Sequence, residues 1–164
     1  MQKALILVPK TGTKTLQDIA GKVGNVIADD HYSYSQMIDW HGDELELAAN
    51  VRHPVDRFVS AFHYSFKNPH PKFTLDFLMN KVARNDCPQL MFKSQMDWIE
   101  HPDKVRLFNF DKMNIMGWLG WDGYVPRLNA TERRFSRKDI EEHPLFNAIM
   151  ERYEGDWKLW DNVQ

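Results

Sequence analysis

Two short stretches of this chain hold the residue types that bind phosphate. In Pro9-Lys10-Thr11-Gly12-Thr13-Lys14-Thr15, lysine, glycine and threonine hydroxyls are concentrated in one turn. A helix starting there aims its first N–H groups and its positive dipole end at an anion. Glycine lets the backbone approach, and lysine and threonine add donors. The second stretch is Arg52-His53-Pro54-Val55-Asp56-Arg57-Phe58-Val59-Ser60-Ala61-Phe62. An arginine before a proline helix start, with a serine two turns along, makes a second anion site. Two separated sites imply a ligand phosphorylated at two places. The Walker A pattern needs an earlier glycine and a lysine directly after Gly12, where Thr13 stands, so an NTPase of that type is disfavoured. Taken alone, Lys10 with Gly12 also fits an ordinary turn with a solvated lysine. Arg57, near Asp56, fits an ion pair as well as a ligand contact.

Elements that would position these residues follow from hydrophobic periodicity. Ala4 to Val8 is a continuous apolar run, as in a parallel strand buried on both faces. Leu16, Ile19, Ala20 and Val23 then form a helix stripe, with Thr11 or Thr13 as N-cap. Asn25 to Ala28 reads as a second strand, Tyr34 to Trp40 as a short helix, and Leu45 to Val51 as a third strand ended by Pro54. In the helix from Pro54, Val55, Phe58, Val59, Phe62 and Phe66 form a core stripe, while Arg57, Ser60 and Tyr64 project together from the other side. Helices are expected over Thr74 to Ala83 and Gln89 to Ile99, a strand over Val105 to Phe110, a helix over Asp111 to Trp118 and a loop over Gly117 to Ala130. A carboxy-terminal helix should dock through Leu145, Ile149, Met150, Tyr153, Trp157 and Trp160.

With both motifs in this order, each at a strand-to-helix junction, the chain resembles the sulfotransferases that use 3′-phosphoadenosine 5′-phosphosulfate (PAPS), particularly the carbohydrate-type branch. Pro9 to Leu16 is similar to that family's 5′-phosphosulfate loop, PKTGTTSL, and Arg52 to Phe62 to its 3′-phosphate motif, R-x-P-x-x-R-x-x-S-x-[YF]. Weaker likeness runs through His31-Tyr32-Ser33-Tyr34, Pro88-Gln89 with Gln95, Phe110-Asp111, Leu128-Asn129-Ala130-Thr131 and Tyr153 to Trp160. The resemblance implies one domain over residues 1–164 with a P-loop-type three-layer sandwich, its mostly parallel sheet flanked by helices. It implies that Lys10 stabilises the phosphate leaving group, that Thr11, Gly12, Thr13 and Thr15 line the 5′-phosphate loop, and that Arg52 and Ser60 hold the 3′-phosphate. Lys14 departs from the family's Thr or Ser; it either adds a cation at the sulfate or points to solvent. The segment around Asn129 and Thr131 would close over the nucleotide, making Arg133 and Arg134 candidates for the 3′-phosphate or an anionic acceptor.

The same resemblance gives the reaction: in-line transfer of a sulfuryl group from PAPS to an acceptor hydroxyl, with a carbohydrate as the expected acceptor, leaving 3′-phosphoadenosine 5′-phosphate (PAP). His31 matches the place of the proton acceptor, with His41, His63 and Asp30 in reserve. Histidine suits this task because its unperturbed pKa of about 6.5 leaves it mostly neutral at pH 7. Cationic side chains and helix N–H groups suffice for a sulfuryl group, so no metal is expected. The rivals are a nucleotide or small-molecule kinase on the same fold and a binding module without turnover. Arg133, Arg134, Arg137 and Lys138 also fit a solvated basic face, and His53 either touches ligand or caps its turn. Trp98, Trp118, Trp121 and Tyr124 either stack on sugar or pack internally.

Composition bounds these readings. The 164 residues are 43% hydrophobic and 27% charged, with 8 glycines and 8 prolines, which excludes disordered and collagen-like chains. One cysteine, Cys87, excludes a disulfide-stapled domain. A net charge of −2 argues against general nucleic-acid or membrane binding. The apolar run at Ala4 is too short for a membrane span or signal core. The expectation is a cytoplasmic enzyme of prokaryotic or viral type.

Overall fold

The computed structural model describes residues 1–125 and 133–164. Among them, strands β1 (Gln2–Leu5), β2 (Val26–Ile27), β3 (Leu45–Val51) and β4 (Arg106–Asn109) form one parallel sheet in the order β2-β1-β3-β4. Helices α1 (Thr13–Val23), α2 (Tyr34–His41) and α3 (Pro54–Ser65) follow the first three strands. Helices α4 (Leu75–Ala83), α5 (Gln89–Phe92) and α6 (Met96–Ile99) complete the crossover to β4. After β4 come α7 (Ile115–Leu119), α8 (Arg137–Glu141), α9 (Phe146–Met150), a 3₁₀ turn (Glu151–Tyr153) and α10 (Glu154–Asp161). The chain is α/β, with a parallel sheet flanked by helices. No helix among the described residues is long and apolar enough to cross a membrane.

Both sheet faces are covered, which explains the unbroken apolar run after Lys3. Ala4, Ile6 and Val8 pack with Leu47, Ala49 and Val51 against Trp98, Ile99 and Leu159. Leu5, Leu7 and Ala48 face the other way, onto Leu16, Ile19, Ala20 and Ile115. A third cluster joins α3 to α4, α8 and α9 through Phe58, Phe62, Leu78, Met79, Ile140 and Ile149. From β1 the chain steps outward to β2 and then back across to β3, so its direction switches between the carboxyl ends of β1 and β3. Open parallel sheets bind ligands at that point.

Several elements depart from the sequence reading. The ladder of β1 stops at Leu5, with Ile6 N donating to Ala48 O at 2.9 Å, and Ile6 to Val8 stay buried outside it as the chain turns toward Lys10. Gly12, not Thr11 or Thr13, is the N-cap of α1. The two hydroxyls turn back onto Val8 O, at 2.8 and 3.2 Å, and no side chain caps the helix. The helix expected over Gln89 to Ile99 breaks at Lys93, which is extended, because Gln95 is drawn inward to the Arg52 peptide. The strand expected from Val105 spans only Arg106–Asn109, and the next helix begins at Ile115, taking Gly117 out of the expected loop. The carboxy-terminal helix is interrupted by the 3₁₀ turn, which shifts its phase. Asp156 and Leu159 face inward, whereas Trp157 is 37% exposed and packs edge-on against His53.

Candidate functional site

A cavity of about 1080 Å³ opens at the switch point. Its wall brings together Lys10, Gly12, Thr13, Lys14, Thr15, His31, Arg52, Ser60 and Arg133, residues from opposite ends of the chain. Tyr64, Phe110 and Asp111 complete it on the side of α3 and β4. Thr11 does not join this wall: its side chain is buried, with the hydroxyl on Val8 O. Arg134 is also apart, donating to Pro71 O at 3.0 Å and Phe73 O at 2.9 Å. Asn129 and Thr131 lie outside the described residues.

The turn after β1 is held in a demanding geometry. Lys10 has φ 69° and Gly12 φ 87°. A left-handed lysine is a strained conformation that costs about 1–3 kcal/mol and persists where its surroundings enforce it, often at functional sites. At Gly12 a Cβ would also sit 2.9 Å from Phe110 Cε2, so glycine is required twice over. Lys10 Nζ lies 4.1 Å from the centre of the Tyr64 ring. Burial, and secondarily the Arg52 charge, lowers its pKa to about 8. The lysine is therefore poised to gain from any anion placed beside it.

Arg52 is fixed from several directions. Its guanidinium donates to Lys10 O at 3.1 Å and stacks 4.8 Å from the centre of Phe110. Its Nε is buried with no hydrogen-bond partner. Burial pulls its pKa down, against the raising effect of Asp56 and Asp111. Behind it, the side chain of Gln95, wholly buried, clamps the Arg52 peptide: Arg52 N donates to Oε1 and Gln95 Nε2 donates to Arg52 O, both at 2.9 Å.

Arg57 corrects the sequence reading. It does not share a free face with Ser60 and Tyr64, and its carboxylate partner is not Asp56. Its side chain is 1% exposed, donates from Nε to Pro9 O at 3.0 Å and from NH2 to Lys93 O at 2.6 Å, and lies 3.9 Å from Asp156. Burial lowers the Arg57 pKa and raises that of Asp156, while each partner's charge opposes the shift in the other. Asp156 also accepts from Met96 N at 3.1 Å. Arg57 thus ties the carbonyl before Lys10 to α10, a structural role. Asp56 pairs instead with Arg137.

His31 stands at the other edge of the cavity. Its Nδ1 faces Leu7 O, and its backbone N–H donates to Asp30 Oδ1 at 2.7 Å. A ring nitrogen facing a carbonyl must carry the hydrogen, which leaves the Nε2 lone pair to accept a proton. Of the reserves, His63 lines the cavity but has both ring nitrogens occupied, Nδ1 at 2.8 Å from Val59 O and Nε2 at 3.0 Å from Phe135 O. Asp30 lines the cavity and is committed to the His31 backbone, while His41 does not line it. The His53 side chain makes no capping bond and packs edge-on to Trp157 and Trp160.

The basic cluster divides. Arg137 binds Asp56 and Glu141, Lys138 lies 3.6 Å from Glu142, and only Arg133 of the four reaches the cavity wall. Trp118 and Trp121 donate to Glu46 and to Tyr124 O, and neither they nor Tyr124 line this cavity. Trp98 is 3% exposed and belongs to the core. Sequence reasoning gave no role to Gln95 or Asp156, although Gln95 and the Tyr153 to Trp160 segment that holds Asp156 fell within the weaker family likeness. Among the described residues, no three His, Cys, Asp or Glu side chains cluster as metal ligands. Neither a known protein family, nor a curated protein, nor a solved structure matches this chain.

Proposed function

We propose that this chain is a sulfotransferase on a P-loop-type fold, moving the sulfuryl group of PAPS to an acceptor hydroxyl, with a glycan as the acceptor class. The observation that carries the proposal is the single cavity that joins two cationic anchors, the uncapped start of α1 and a histidine of defined tautomer. The buried, unpartnered Arg52 Nε and the glycine cradle closed by Phe110 fit a ligand with two phosphates.

In this reading Lys10, Gly12, Thr13 and Thr15 hold the 5′-phosphosulfate, and Arg52 with Ser60 holds the 3′-phosphate. Lys14 is exposed on the cavity wall and adds positive charge there. As the acceptor oxygen bonds to sulfur, the bond from sulfur to the bridging phosphate oxygen breaks. The hydroxyl proton passes to His31 Nε2, and the electron pair stays on the 5′-phosphate of PAP, where Lys10 neutralises it. Preorganised cations of this kind act where charge develops.

Calorimetric titration with PAP, ADP and ATP, with and without Mg²⁺, tests the proposal. The expected result is metal-independent PAP binding at least tenfold tighter than ADP binding. Preference for ATP with Mg²⁺ would replace sulfuryl by phosphoryl transfer. PAP binding without turnover of PAPS on any acceptor would leave a nucleotide-binding module.

A further inference from the structure

The Lys10 ammonium is held in the cavity without an acid beside it. Arg52 is the one charged group that bears on it, and that charge is like its own. Asp29, Asp30 and Asp111 share the cavity wall, but among the described residues no carboxylate comes within ion-pair distance of Lys10 Nζ. What it does meet is the face of Tyr64, whose ring centre lies 4.1 Å from Nζ. Tyr64 stands one turn beyond Ser60 on the same face of α3, and both line the cavity. We infer that Tyr64 is the positioning residue for Lys10: its ring seats the ammonium, charged and with N–H groups to spare, beside the place of the donor's 5′-phosphate. The task given to Lys10 rests on the sulfuryl-transfer reading above; the seat itself rests on the contact.

The site makes two demands of this lysine that conflict. It must stay protonated in a partly buried, positive setting, because a neutral amine cannot offset the charge that develops on the bridging oxygen. It must also be unclaimed when the donor arrives. A carboxylate partner would meet the first demand and defeat the second, since it would cancel the charge, occupy the N–H groups and repel both phosphates of the ligand.

An aromatic face meets both. Its quadrupole favours the cation over the neutral amine, more strongly as water is excluded, yet it carries no net charge and takes up only one side of the ammonium. Lys67 Nζ lies 5.6 Å from the centre of the same ring, so two ammonium groups share it. The attraction belongs to the ring and not to the phenol hydroxyl. Phenylalanine should therefore replace tyrosine here, and leucine should not.

The test compares Tyr64→Phe and Tyr64→Leu in the full chain; at 38% exposure the position should tolerate both. NMR titration of the lysine side chains follows Lys10 in the ligand-free protein, with Lys10→Met identifying its signal. Lys10 should lose its proton at about pH 8 in the parent and in Tyr64→Phe, and about one pH unit lower in Tyr64→Leu. The other titratable side chains on the wall, Lys14, His31 and His63 among them, are common to all three proteins and cancel in the comparison. Calorimetry with PAP should then show Tyr64→Leu equal to the parent at about pH 6 but about fivefold weaker at about pH 8, where fewer of its Lys10 side chains are charged. An unmoved Lys10 titration in Tyr64→Leu, or an equal movement in Tyr64→Phe, overturns the seat. A loss of PAP affinity of the same size at both pH values overturns positioning through Lys10 and makes Tyr64 a general support of the wall. A parent protein that binds no PAP overturns the donor reading, while the ligand-free titration still decides the seat.

Discussion

The two strand-to-helix junctions of the cavity serve the same end by opposite means. The turn after β1 takes its shape locally, from strain at Lys10, a left-handed Gly12 and hydroxyls folded back onto Val8, and its carbonyls then accept from Asn50, Arg52 and Arg57. The turn after β3 has ordinary backbone around His53 and Pro54 and is secured from a distance. Gln95, 43 residues along the chain, grips the Arg52 peptide through both its N–H and its carbonyl. The first junction thus depends chiefly on backbone shape, the second on a buried side-chain clamp. Removing support from each should therefore fail in a different way.

The largest loss of stability is expected at Gln95. Gln95→Leu keeps the volume but leaves Arg52 N–H and C=O buried and unpaired, at about 1–3 kcal/mol for each group. Urea unfolding should show that loss. If Gln95 acts through Arg52 and the 3′-phosphate, PAP affinity should also fall by about tenfold or more, one lost charge-assisted contact, whereas ADP, which has no 3′-phosphate, should bind as before. Equal losses for the two nucleotides would reduce Gln95 to a general stabiliser. Gln95→Glu, which keeps the acceptor oxygen for Arg52 N, should recover part of the PAP affinity.

This asymmetry explains what the sequence disclosed. Strand β3, helices α1 and α3, and the placing of Lys10, Gly12, Arg52 and Ser60 around one cavity were legible, because each depends on apolar periodicity or short spacing. Arg57 was misread because an exposed-face position on the helical wheel carries no record of α10 packing over it, where Asp156 waits. The threonine N-cap failed for a related reason: the Thr11 and Thr13 hydroxyls turn back to donate to Val8 O, an orientation that carries them away from the helix N–H groups. The unity of the carboxy-terminal helix was lost to a 3₁₀ turn that no apolar repeat announces. The placing of the short helices α5 and α6 was invisible, since Gln95, Arg57, Tyr153 and Asp156 hold them from distant parts of the chain.

The local junction should break at Gly12. Gly12→Ala adds a Cβ at φ 87° and 2.9 Å from Phe110, an expected cost of about 1–3 kcal/mol for the strained backbone alone. Because the strain falls on the 5′ side, PAP and ADP should weaken together, by about ten- to a hundredfold. Adding Phe110→Leu removes the contact and leaves the backbone strain, so the pair should regain only part of the affinity. Full recovery in the double variant would show that the ring, not the left-handed backbone, dictates glycine here.

The smallest effect is a pH dependence, and it separates the two cations. Lys10, lowered to about 8 by burial and the Arg52 charge, loses its proton within the accessible range, whereas Arg52 stays charged. A bound phosphate favours the ammonium, so the Lys10 pKa rises on binding, and binding takes up a proton near and above pH 8. Affinity for PAP is therefore full below the free-state value and declines as pH rises through it, by about tenfold between pH 7 and 9 if the bound lysine stays protonated. Calorimetry in buffers of different ionisation enthalpy should register the proton uptake, and Lys10→Met should flatten the profile while lowering affinity throughout. A profile equally steep in Lys10→Met would assign the titration to another group and leave the lysine's charge without a part in nucleotide binding.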